Sequence, residues 1–133
     1  MLNFRNRQIK KALKVTRQKW IDNIIRHYFD AFRFNKKFVE LGGDGAIEVL
    51  MKDIAKIKED ISNEKLLGKA KNKEMIVEWE KNLKIKEKDL SDVSSMKKER
   101  DDCLASAFFE EEMLKDIDIV LRKPRKIYEF KKN

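Results

Sequence analysis

Four cations recur at helical spacing near the start of this chain. Arg7, Lys10, Lys14 and Arg17 are separated by three, four and three residues, so on a helix they share one face about 15 Å long. Such a row tracks the phosphates of a nucleic acid without reading its bases. Arg5 and Lys19 flank it, and Arg122, Lys123, Arg125 and Lys126 repeat the chemistry near the other end, beside Tyr128 and Phe130. The candidate nucleic-acid-binding residues are therefore Arg5, Arg7, Lys10, Lys14, Arg17, Lys19, Arg122, Lys123, Arg125 and Lys126. The same face also suits an acidic protein surface. A solvated basic face with no ligand is the plain alternative.

The distribution of charge is what singles this row out. Residues 1–41 hold 11 Lys/Arg against the three acids Asp22, Asp30 and Glu40. Residues 44–90 hold 11 against 11, and residues 91–133 hold 10 against 10. The net charge of +8 thus equals that of the first third alone, and a one-sided field of this kind points to a polyanion. Five of the eight arginines lie there too, and arginine forks phosphate where lysine mostly solvates a face. The later segments conceal a split of their own. Residues 91–119 carry nine acids against four bases, and the tail after them is basic. The acidic last helix of one copy can therefore meet the basic first helix of another in a homo-oligomer.

Other chemistries find little support. The single histidine, His27, and the single cysteine, Cys103, are too few for a zinc site or a catalytic triad. Both read as packed structural residues. Glu-x-x-His pairs for a di-metal bundle are missing. Glu110, Glu111 and Glu112 are consecutive, so on a helix they point in different directions and read as a solvated face. Gly42-Gly43-Asp44-Gly45 lacks the Lys-Ser/Thr of a phosphate-binding loop. The expectation is a non-enzymatic protein without metal or cofactor. Trp20, Tyr28, Phe29, Phe32, Phe34 and Phe38 hold half of the 12 aromatic residues. Bases can stack on such rings, but rings on several faces of one helix read better as core.

The elements that must position these residues are helices. Apolar residues make up 41% and charged residues 42% of the 133 residues, with four Gly and one Pro. That balance calls for long amphipathic helices with few turns, in one domain over residues 1–121 followed by a basic tail, 122–133. The expected fold is all-α with four helices. The first, about 4–38, carries Ile9, Leu13, Thr16, Trp20, Ile24 and Tyr28 at steps of three and four. Beyond Trp20 its apolar arc widens to Ile21, Ile25, Phe29 and Phe32, so its second half should be buried nearly all round. Gly42 or Gly43 should end it, and Asp44 should cap the next helix.

The second and third helices should form a central antiparallel hairpin over about 46–93. Ile47, Leu50, Ile54, Ile57 and Ile61 make one heptad seam, and Ile76, Trp79, Leu83, Leu90 and Val93 the other, with Lys86 interrupting it. Lys69, Lys71 and Lys73 mark its tip. Ser91-Asp92-Val93-Ser94-Ser95 is the expected break, with one long helix through it as the alternative, before a last helix, about 96–121, that buries Leu104, Ala107, Phe108, Leu114, Ile117 and Leu121. Pro124 should end that helix, and residues 127–130 have the makings of a short strand.

No apolar run is long enough to span a bilayer, and a lone cysteine fits a reducing compartment. A cytoplasmic or nucleoprotein-associated location follows as the expectation. Three functions remain in order. The first is a nucleic-acid-associated subunit without sequence specificity. The second is a structural or assembly protein that docks on partner helices or on itself. The third is an organellar complex subunit addressed by its acid-free first 20 residues.

Overall fold

A computed structural model describes residues 2–122, with side chains from Phe4 onward. They form three α-helices: α1 (Leu2–Glu40), α2 (Gly43–Lys65) and α3 (Lys73–Arg122), with a short 3-10 turn at Gly68–Ala70 before the third. The described residues contain no strand. Lys123, Pro124, Arg125, Lys126 and the strand expected at 127–130 lie outside them.

Helix lengths follow from where glycine and proline fall. The first 41 residues contain neither, and neither do residues 73–122, so nothing in the backbone chemistry interrupts α1 or α3. The expected break at Ser91–Ser95 is absent, and the last two expected helices are one. Val93 explains this. It is 1% exposed, the largest fully buried side chain, while Ser91, Asp92, Ser94 and Ser95 around it are exposed. Serines on the wet side of a helix cost only a few tenths of a kcal/mol each. The burial of one valine, at about 1.5–3 kcal/mol, outweighs them.

The junctions are built as glycine and asparagine chemistry requires. At the end of α1, the Leu41 and Gly42 amides donate to the Lys37 and Val39 carbonyls, both at 3.0 Å. Gly42 then turns the chain with φ 107, a left-handed conformation. Asp44 is not the cap that was expected. It lies in the first turn of α2, where its charge suits the helix N-terminus, and it accepts a 2.7 Å hydrogen bond from Lys97. Asn72 caps α3, its Oδ1 accepting from the Met75 amide at 3.1 Å.

The chain packs as two units. One is residues 33–99: the end of α1, all of α2 and the first half of α3. Its ion pairs run antiparallel, Lys97 to Asp44, Lys86 to Asp53 and Lys65 to Glu80. The expected seams meet in it, with Ile54, Ile61, Ile76 and Val93 buried. Lys86, the seam's interruption, holds Asp53 at 3.5 Å. The other unit joins residues 2–32 of α1 to residues 100–122 of α3, and it carries most of the candidate functional residues.

Candidate functional site

Within the unit formed by 2–32 and 100–122, α1 and α3 touch along a narrow line. Ile24 and Ala31 of α1 are buried, as is Ala107 of α3 at 0% exposure. The two alanines let the helices approach closely, and larger side chains beside them, Leu13, Trp20, Ile21, Leu114, Ile117 and Leu121 among them, are half-buried. Trp20 meets Phe109 with ring centroids 6.4 Å apart and planes tilted by 53°, a geometry that suits aromatic quadrupoles.

Three polar contacts set the register. Arg17 donates to Asp118 at 2.7 Å. His27 Nε2 and Glu110 Oε1 lie 3.1 Å apart, so the histidine is a structural partner rather than an isolated imidazole. The Tyr28 hydroxyl donates to the Glu111 carboxylate, which holds the phenol above its ordinary pKa, chiefly through that hydrogen bond. His27 and Tyr28 are neighbours, as are Glu110 and Glu111. The two contacts therefore lie on opposite sides of the helix pair and show which side chains share a side.

On the Tyr28–Glu111 side, α1 presents Ile21, Ile25, Tyr28 and Phe32 at steps of four, three and four. Alongside, α3 presents Leu104, Phe108, Glu111 and Lys115 at the same steps. Phe29 lies on the outer edge of the α1 row. These are not core residues. Ile25 is 62% exposed, Phe29 61%, Phe32 68% and Phe108 63%; Tyr28 and Leu104 are exposed as well. This overturns two expectations. The second half of α1 is not buried all round, and Phe108 and Leu104 are not buried in the last helix. A pair of helices has one mutual face, and an arc wider than that face must remain in water.

The second row was visible in the sequence as a heptad repeat parallel to the first. The apolar arc is broad because two adjacent seams lie side by side, of which one is filled. Ala107 is buried as expected, whereas Ala31 gave no sequence signal, since alanine fits either side of a helix.

The basic row divides. Arg7 and Lys14 are exposed and Lys10 half-exposed, and none of the three makes an ion pair among the described residues. Arg5 and Lys19 are likewise exposed. Arg17 is different: it is spent on Asp118 and half-buried, so it belongs to the helix pair. Arg122 is exposed at the end of α3, whereas Lys123, Arg125 and Lys126 lie outside the described residues. Cys103 is half-buried and not isolated. No group of three or more His, Cys, Asp or Glu among the described residues is placed to hold a metal ion, and no described helix is long and apolar enough to cross a membrane.

Comparisons with protein-family models, curated proteins and solved structures find no match.

Proposed function

We propose that this chain is a non-enzymatic helical subunit that assembles through the Tyr28–Glu111 side of its α1–α3 pair. One observation carries the reading. Ile25, Phe29, Phe32 and Phe108 are each more than three-fifths exposed on a single side. Such a patch, on the order of 500 Å² when about three-fifths of the 150–250 Å² of each ring is counted together with Ile25, lies in the range of the largest patch on an ordinary monomer, which is often functional. Scattered exposed apolar residues need no explanation, but rings aligned on two helices at matching heptad steps supply a ready seam for further helices.

A photoreactive residue at position 29, in the full chain and in native extract, tests this. The expected result is cross-linking to helical segments, with none from the same group at Gln8 on the polar part of α1. Equal yields at the two positions sink the reading.

A second reading rests on a separate observation, the unpaired and exposed Arg7 and Lys14 with Lys10 between them. It supports phosphate contact by Arg5, Arg7, Lys10, Lys14 and Lys19, with Arg122 and the tail as further cations. About five contacts give a slope of log affinity on log salt of roughly −4 to −5 on duplex DNA. Lys10→Glu and Lys14→Glu should each flatten that slope by about one. Arg17→Gln should act on folding stability instead. Flat salt dependence excludes this reading.

A further inference from the structure

We infer that the exposed side of the α1–α3 pair is occupied by a second copy of this chain, stacked face to face so that α1 of each copy lies along α3 of the other. This rests on the assembly reading above and names its partner.

Charge decides the arrangement. Beside the patch, residues 18–32 of α1 hold two Lys/Arg and two acids, whereas residues 104–119 of α3 hold five acids and one Lys. Stacking α3 on α3 therefore sets two acidic segments together. A two-fold axis running along the helices avoids that. It places α1 on the partner's α3, antiparallel, and so repeats between copies the pairing each copy already makes within itself. The register supports this. Residues 27 and 28 sit level with 110 and 111, so Phe29 falls level with Phe108, and Arg26 with Glu112. In the stack the rings of Phe29 and Phe32 rest on Phe108 and Leu104 of the second copy.

The area is sufficient. A standard interface buries about 800 Å² per partner. The six exposed apolar side chains supply most of that, on the order of 600 Å², and Ile119, also exposed, extends the row. The result is a four-helix arrangement in which the second seam of each helix is filled.

Sedimentation equilibrium of the full chain across the micromolar range tests the proposal. The expected result is a reversible dimer, with Phe32→Asp and Phe108→Asp each raising its dissociation constant at least about thirtyfold, as central rings do, at unchanged helical circular dichroism. Should an aspartate variant lose helicity, Phe32→Ala and Phe108→Ala are milder probes on the same face. Each still weakens the dimer about tenfold. A wild-type chain that stays monomeric, or a dimer indifferent to these substitutions, overturns the proposal. So does position 29 cross-linking only to a different helical protein, an outcome that leaves the assembly reading intact. Single-stranded RNA binding by a monomer, abolished in Phe32→Asp, overturns it in favour of base stacking.

Discussion

His27 and Glu110 show how much rests on a single contact. Glu110 is 13% exposed at its side chain, His27 Nε2 meets one carboxylate oxygen, and the other, Oε2, is buried without a hydrogen-bond partner. Removing the imidazole strands a nearly buried carboxylate. His27→Ala should therefore cost about 1–3 kcal/mol in urea unfolding. The double variant with Glu110→Ala should cost less than the sum of the single changes, since both ends of the contact go together. Tyr28 allows a second check. Its pKa is raised because the hydroxyl donates a hydrogen bond to the Glu111 carboxylate, so the contact favours the folded state below the phenol's ordinary value of 10.0 and is lost as pH rises through the higher folded value. Ultraviolet titration in a Tyr128→Phe background should show Tyr28 ionising late, and Glu111→Gln should bring it back toward 10.0. Neither contact was legible in the sequence. A histidine in an aromatic stretch and a run of three glutamates are separated by 83 residues, and only the pairing of the two helices makes them neighbours.

Elements were legible where glycine and proline speak and illegible where packing overrules propensity. The end of α1 at Gly42 followed from the triplet of glycines. The structure adds why that glycine is required. A Cβ at Gly42 meets that of Ala46 at 2.6 Å, in a backbone conformation that L side chains rarely adopt. Gly42→Ala should cost about 1–3 kcal/mol in thermal or urea unfolding, whereas Gly45→Ala, with nothing within 4 Å and no positive φ, should be neutral or mildly stabilising. The continuity of α3 was not legible, because Ser91-Asp92-Val93-Ser94-Ser95 has turn chemistry in every residue but one. Val93→Ala should unmask it, with a loss of about 1–3 kcal/mol and faster amide exchange confined to residues 91–95. An equal loss of protection along all of α3 would show that the serines carry no latent break.

At the scale of the whole chain, the all-helical class and the concentration of base in α1 were readable directly, because composition and charge need no tertiary information. The exposed rings were not. Hydrophobic periodicity reports how many seams a helix owns, and says nothing of how many the same chain can fill. Three helices joined by short turns give the α1 segment of 2–32 one helical partner among the described residues, and the second seam is left over. One further consequence lies in sequence distance. Arg17 binds Asp118 across 101 residues, whereas the unit of residues 33–99 is assembled from adjacent stretches. Loop closure favours the shorter connection, so pulse-labelled hydrogen exchange should find residues 43–99 protected before residues 9–31 on refolding. During synthesis the asymmetry is stronger still. At about 5–20 residues per second, α1 leaves the ribosome about 5–20 s before its mate on α3 has been made. Both of its apolar seams stay bare throughout that interval, which makes the nascent first helix a natural client for a chaperone.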